Sequence, residues 1–593
     1  MVGPATAIDR FVRDNPAEAV ARLRKLLRDD AQNPEAWRLL GQALRTLGED
    51  EEASEAELAA IRATAFDKDM IAIAQAMNAG DLPQAEALLR ARLKSQPFDV
   101  AAIRLMAELA GRIGRLRDAE VLLRRALELA PGFSAARANL ATVLYRQNRF
   151  AEAGETLDAL ADAGDMNPAN RNLRAATLGR IGDYDEALRI YEDLIPAFPD
   201  HAKLLMSYGH ALKTVGRQDE SIAAYRRAIA VKPDLGEVWW SLANLKTVRF
   251  GDDDVETMET ALASEPAPAH EDRLHLHFAL GKAYADSGNA EAAFRHYAAG
   301  NALRKDEVKH DPAAVAEQVD GVIATFTPEF VAEHEGWGDA SPDPIFIVGL
   351  PRAGSTLIEQ ILSCHSQIEG TMELPDIPAI VRRETQEQGT SARNWTTVAA
   401  GMDRAKLAAL GAEFLERTRV QRKSGKSFFI DKLPNNWSYA GFIHLMLPNA
   451  KIIDARRHPL DCCFSNFRQH FAMGQGFTYD LEHIGRYYAD YVRAMDHYDR
   501  VLPGRIHRVI HEELLEDPEG VVRRILDYLG LPFEEVCLDF HRSSRPVRTA
   551  SSEQVRRPIN RDGVDQWQAY DQWLGPLKAT LGTLPQRYAT RGN

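Results

Sequence analysis

The chain has 593 residues, 45% of them hydrophobic and 27% charged, and a formal net charge of −14. That balance is too apolar for a disordered chain and too acidic for a general nucleic-acid binder, and the length allows about three to five domain-sized units. No apolar run approaches the roughly 20 residues of a membrane helix, the start MVGPATAIDRFVRDNPAEA has no apolar core behind a basic head, and Cys364, Cys462, Cys463 and Cys537 contain no CxxC spacing. The expectation is a protein of the reducing cytoplasm with no membrane span, no disulfide framework and no zinc site, in which Cys462 and Cys463 are buried small hydrophobes.

In chain order, the first feature is a repeat. Pro97, Pro131, Pro199 and Pro233 fall on a 34-residue grid, with Pro168 three residues late at the step that lacks its proline. Ala85, Ala119, Ala153, Ala187 and Ser221 share the grid, as do Leu89, Leu123, Leu157, Tyr191 and Tyr225. Ala119, Leu122, Leu123, Ala126 and Leu127 make one apolar helical stripe, and the alanines let two antiparallel helices approach closely. Pro131 stops the second helix of its pair, because it has no N–H and disfavours helical geometry before it. Gly114-Arg115 and Gly182-Asp183 read as the turns within pairs. Looser units are legible around Trp37, Leu40, Gly41, Leu44 and Ala53 and around Leu280, Gly281, Tyr284, Ala293 and Tyr297, which gives about eight helix pairs within residues 1–304. The acidic run Asp252-Asp253-Asp254 reads as a solvated turn. The period, the small residues and the closing proline resemble the tetratricopeptide (TPR) repeat, an all-α solenoid. Such solenoids present a concave groove to a protein partner; the plainer uses are a spacer or a homodimer contact.

Residues 305–340 are charged and less regular and read as a linker with a transition helix, and residues 341–593 as an α/β domain with a parallel sheet. Ile345 to Val348 is a short branched apolar run of the kind that makes a buried parallel strand. Gly349 to Gly354 is a glycine-bounded loop, and a helix begins near Thr356. Strand, loop and helix form a phosphate-cradling arrangement in which amides and the helix amino terminus face an anion. Gly349 and Gly354 have P-loop spacing, yet Ser355 stands where a nucleotide triphosphatase has lysine and the cation is Arg352, inside the loop. In SFFIDKLPNN (427–436) a second strand ends at Lys432; in AKIIDARRHPLDCCFSNF (450–467) a third ends at Arg456-Arg457, and Pro459 opens a helix carrying Ser465. Basic residues at the carboxyl ends of several strands suit a crevice site in an open α/β sheet.

GLPRAGSTL followed by RRHPLDCCFS resembles the sulfotransferases that use 3′-phosphoadenosine 5′-phosphosulfate (PAPS), with Arg457 and Ser465 at the family's spacing of eight. The PRAGST loop, SSEQVRRPIN (551–560) and IHEELLEDPE (510–519) are most similar to the tyrosylprotein sulfotransferase branch, with His511 where an aromatic residue is usual. TPR arrays joined to such domains are a bacterial arrangement. The resemblance covers about the last 250 residues and implies the following roles. Arg352 and Lys432 meet the sulfonate and the bridging oxygen, and Ser551 stands near the leaving group. Ala353, Gly354, Ser355 and Thr356 hold the 5′-phosphate. Arg457 and Ser465, with Arg557, hold the 3′-phosphate. Glu373 is the base that takes the acceptor proton. PAPS is the co-substrate and PAP the product, and no metal is required because fixed cations do its work.

The acceptor is less constrained. The tyrosylprotein branch has basic residues just after its glutamate, where this chain has Pro375 and Ala379. A peptide or protein tyrosine, a small phenol, a carbohydrate and a lipid hydroxyl stay open. Two other readings stand beside a catalytic transferase: a P-loop NTPase or kinase, and a TPR scaffold with a non-catalytic sulfotransferase-like domain. His458 reads as a helix-start residue, His470 as a core position, and Trp567 and Trp573 as packing anchors.

Overall fold

The small and the large apolar positions of the 34-residue grid are buried, while its prolines are exposed. Ala85, Ala119, Ala153, Ala187 and Ser221 have no exposed surface, and Leu89, Leu123, Leu157, Tyr191 and Tyr225 are at most 3% exposed. The computed structural model describes residues 10–589 except 66, 472–473, 544, 548 and 550–553. The helix Leu116–Leu129 buries Ala119, Leu123 and Ala126, while Leu122 and Leu127 pack half-buried at the edge of the same cluster. Gly114 has a φ of 80° and makes the turn into that helix. Gly209 is needed for close approach, since a Cβ there would lie 2.5 Å from the Tyr225 ring. Pro233 follows the helix Gln218–Val231, as expected.

The acidic run departs from its reading as a turn. Asp252, Asp253 and Asp254 form the first turn of the helix Asp252–Ala263, where negative charge complements the amino-terminal dipole. Asp254 also takes both terminal nitrogens of Arg226, at 2.5 and 2.9 Å.

The chain packs as two compact units, Met1–Ile190 and Tyr191–Asn593. The second unit therefore includes the helices Ala202–Val215, Gly236–Ala243, His270–Asp286 and Ala290–Val308 together with the sheet. The helices Pro312–Thr325 and Pro328–Glu333 occupy much of the stretch read as a linker.

Five strands, β1 (Pro344–Gly349), β2 (Ile368–Gly370), β3 (Phe428–Asp431), β4 (Lys451–Arg456) and β5 (Ile506–Ile510), form one parallel sheet in the order β2-β3-β1-β4-β5. β1 is central and buried along its whole length. Phe346 pairs with Asp431 of β3 and Gly349 with Ala455 of β4. β1 thus stands where neighbouring strands follow on opposite sides, the place where open parallel sheets gather ligands at the carboxyl ends of their strands.

The helices Ala202–Val215 and Ala290–Val308 pack directly on this domain. Asn301 donates to the Phe467 carbonyl at 2.9 Å, Lys305 pairs with Asp480 at 2.7 Å, and Phe294 stacks on Trp573 at 5.1 Å. The Thr214 carbonyl, near the end of Ala202–Val215, accepts from the Val547 N–H at 3.0 Å and from Arg556 at 3.1 Å. Among the described residues no helix is long and apolar enough to cross a membrane.

Candidate active site

The loop after β1 is held in a conformation that few side chains adopt. Gly349 has a φ of 138°, Arg352 of 67° and Gly354 of 95°. A Cβ on Gly349 would sit 2.3 Å from the Ala455 carbonyl oxygen, and one on Gly354 2.6 Å from His511 Nδ1. Arg352 is not a glycine, and a left-handed residue of this size persists only when its surroundings over-determine it. Those surroundings are the helix Pro459–Phe467 and the arginine before it. Asn466, fully buried, donates to the Pro351 carbonyl at 2.7 Å and to Cys462 O at 2.9 Å. Arg457 donates to the Arg352 carbonyl at 3.1 Å and also to the Gly563 carbonyl. The Ala353 N–H is turned onto Leu350 O at 3.3 Å. Ser355 and Thr356 open the nine-residue helix Ser355–Ser363, whose first turn carries amides without intrahelical partners.

The Arg352 guanidinium donates to Ser465 Oγ at 3.2 Å and to Gln554 Oε1 at 3.1 Å. Burial, and after it the like charges of Arg457 and Arg468, pull its pKa down to about 10. One cavity of about 560 Å³ is lined by Arg352, Gly354, Ser355, Thr356, Arg457, Ser465 and Arg557, so the fold gathers seven residues picked from the sequence. Arg557 is exposed and paired with Asp562 at 3.2 Å. Lys432 and Glu373 are not among the lining residues. They lie together near the ends of β2 and β3, with Lys432 Nζ 2.5 Å from Glu373 Oε1 and 4.0 Å from Glu359 Oε2. Lys432 is sealed in, 1% exposed, while the Glu373 side chain is 45% exposed. Ser551 lies outside the described residues.

Arg456 and Arg457, adjacent at the end of β4, part company. Arg456 is buried against Asp454 at 3.0 Å and the Tyr491 ring at 5.0 Å and serves the core, whereas Arg457 faces the loop. Cys462 is fully buried, and burial pushes its thiol up to about 12, which fits a small hydrophobe. His458 precedes the helix Pro459–Phe467 at its N-cap. His470 is a core residue, its ring 4.7 Å from His275 and 5.4 Å from Phe278. Among the described residues, Glu271, His275 and His470 place ligand atoms within 4.8 Å of one another, but Arg304 already takes Glu271 at 3.1 Å.

The sequence reading missed Asn466, Arg468, Gln554 and Lys246, the last three of which line the cavity. Asn466 lies on the helix after Arg457 and Arg468 caps its end, so both could have been found from helical spacing. Lys246 comes from just after the helix Gly236–Ala243, far ahead of the sheet in sequence, and nothing local marks it. His511 was noticed only as a departure; it lines the cavity, and burial with Arg457 and Arg352 pushes it down to about 3.

Comparison with known proteins finds matches in both halves of the chain. Residues 344–535 match a model described as the sulfotransferase family, and residues 5–68, 114–177 and 173–238 match tetratricopeptide repeat models. An uncharacterized protein of Aquifex aeolicus (strain VF5) is 33% identical over 398 residues, 66% of this chain and 52% of that protein. Protein-tyrosine sulfotransferase A of Caenorhabditis elegans is 25% identical over 246 residues, 40% of this chain and 64% of that one. Among solved structures, the sulfotransferase domain from the Synechococcus PCC 7002 olefin synthase aligns with 39% of this chain and 88% of its own length, at 21% identity and a TM-score of 0.29. The chain spans about half to two thirds of the length of these curated relatives. The protein joins tetratricopeptide repeats to a sulfotransferase-family domain with a parallel sheet.

Proposed function

We propose that the protein transfers a sulfonate group from PAPS to an acceptor hydroxyl, and that its repeats recruit the acceptor or a partner protein. The observation that carries this reading is the single cavity that collects the glycine-bounded loop, Arg352, Arg457 and Ser465 at the carboxyl ends of β1 and β4. Several cations around a loop of amides and hydroxyls suit a ligand with two separated anionic ends, as PAPS has at its 3′-phosphate and 5′-phosphosulfate. Arg457, with Ser465, would grip the 3′-phosphate, and the Gly354–Thr356 turn the 5′-phosphate.

The chemistry is an in-line displacement. The acceptor oxygen forms a bond to sulfur while the bond from sulfur to the bridging oxygen breaks, and the released phosphate keeps that electron pair. The acceptor proton passes to the Glu373 carboxylate. Lys432 has three donors and holds Glu373 in this structure; to meet the charge that grows on the bridging oxygen, where a fixed cation is worth most, it would need the sulfonate end of the donor to reach past the cavity lining to the ends of β2 and β3. A phenol has an unperturbed pKa of about 10, so a positioned base helps it react near neutrality. Relatives named as protein-tyrosine sulfotransferases support a tyrosine of a protein or peptide as the first acceptor to test.

Calorimetry with PAP, and with ATP plus Mg²⁺ for comparison, tests the donor. Micromolar PAP binding without metal, with none for ATP, is the expected result. Absence of PAP binding by folded protein would overturn the reading. Labelled PAPS with tyrosine peptides, then small phenols, tests the acceptor.

A further inference from the structure

The cavity has a second wall, built from the repeats. Lys246, Thr247 and Lys282 line it together with residues of the sheet domain. Lys246 follows the helix Gly236–Ala243 with a φ of 66°, a left-handed position that is strained for a side chain of this size. Its ammonium lies 5.3 Å from the centre of the Trp240 ring and donates to Gln469 Oε1 at 3.1 Å. Gln469 closes the stretch that begins at Arg457. The chain thus bends out of a regular helix and brings a lysine to the same small volume as the phosphate loop.

The charges that act most strongly on Lys246 are of one sign, although Asp286 and Asp562 also line the cavity. After burial, its strongest electrostatic neighbours are Arg352, Lys282, Arg468 and Lys213, and together they pull its pKa well below the ordinary lysine value. Lys282 is moderated by Asp286, and Arg468 bonds Gln566. The Nε atoms of Arg457 and Arg468, two lining residues, are buried without a hydrogen-bond partner. Crowded cations and unsatisfied donors destabilise a fold unless an anion compensates them. A lysine kept only to cap Trp240 and Gln469 would gain nothing from standing among arginines.

We propose that Lys246 and Arg468 are further binding residues for the anionic groups of the nucleotide donor, so that the last repeats supply part of the donor site. The proposal rests on the donor reading given above. It makes the repeats a component of the catalytic unit as well as a recruiting surface.

The test compares PAP binding by calorimetry and thermal melting in the full chain, in Lys246→Met and Lys246→Arg, and in Lys232→Met, which removes an exposed lysine elsewhere in the repeats. Lys246→Met should bind PAP about 10- to 100-fold more weakly, the range for losing one charge-assisted contact. Its melting temperature without ligand should hold or rise, because repulsion is relieved. Lys246→Arg should recover most of the affinity, and Lys232→Met should match the parent. PAP affinity within two-fold of the parent in Lys246→Met would overturn the proposal and leave the donor reading standing. Weak binding accompanied by a lower ligand-free melting temperature would give Lys246 a structural part and also overturn it. If the parent itself binds no PAP, the donor reading falls and this proposal falls with it.

Discussion

Glu373 and Lys432 form an ion pair at 2.5 Å whose ammonium is sealed in the protein and whose carboxylate is nearly half exposed. Two residues picked for separate duties, a base and a cation, are therefore one unit. Glu373→Gln should leave PAP affinity within a few-fold and lower turnover by roughly 10²–10⁴, the usual range for a general base. Lys432→Met should lower turnover to a similar degree. The double variant should be little worse than either single one, since groups that act together are not additive. Steady-state kinetics with PAP calorimetry alongside decide this; loss of donor binding with turnover unchanged at saturation would remove Glu373 from the base role.

Arg457 bonds the loop backbone through the Arg352 carbonyl and lines the cavity. Arg457→Ala should weaken PAP most, and adenosine 5′-phosphosulfate, which lacks the 3′-phosphate, distinctly less. Equal weakening of both ligands would show that Arg457 acts only by holding the loop.

Asn466 offers a cleaner view of loop support, because it reaches the Pro351 carbonyl from a fully buried position. Asn466→Ala leaves that carbonyl with only the weak Cys462 thiol donor at 3.5 Å, a loss of about 1–3 kcal/mol. A lower melting temperature together with weaker PAP binding is expected. Undiminished affinity would mean that the loop keeps its shape without this bond.

Gly354 stands at a φ of 95° with His511 2.6 Å from the place a Cβ would occupy. Gly354→Ala should therefore lose stability by about 1–3 kcal/mol from backbone strain and lose donor affinity through displacement of His511. Combining it with His511→Ala should restore part of the affinity and little of the stability, read by melting and calorimetry.

Acid should unfold the protein early. Burial holds His470 and His511 at about 3 and His277, His310 and His444 at about 4. A free imidazole titrates near 6.5. Each folded-state value is depressed, so the stabilising contribution is complete above about 6.5 and drains away as pH falls towards 4 and below. For His470 the loss by pH 5 is about 2 kcal/mol. The melting temperature of His470→Gln should fall less steeply between pH 6.5 and 4 than that of the parent; parallel curves would show that another group sets the slope.

Much of this fold could be read from local pattern. The grid from Ala85 to Ser221 is legible because a helix pair can close only over small residues, and every one of those positions is buried. β1, β3 and β4 were legible as short apolar runs ending in glycine or a basic residue. β2 spans only three residues and β5 reads IHRVI; neither has the length or the apolar continuity that marks a buried strand. In the site, the loop and Arg457 were legible because their chemistry needs fixed spacing within a short stretch. Lys246 was not, because only tertiary packing brings it to residues more than a hundred positions later. The pairing of Glu373 with Lys432 was hidden for the same reason, since 59 residues separate them.

The Thr214 carbonyl takes two donors from the far end of the chain, Val547 and Arg556, the latter 342 residues away. A ribosome delivers that acceptor long before either donor exists. Closing so long a loop costs entropy that only the finished contacts return, so Val547 and Arg556 should dock on Thr214 last, and donor affinity should appear late in refolding. The same contact sets where the gene can be cut. A fragment starting near 341 would carry the sheet yet leave Val547 and Arg556 without their acceptor and the cavity without Lys246, whereas one starting near 191 would keep both.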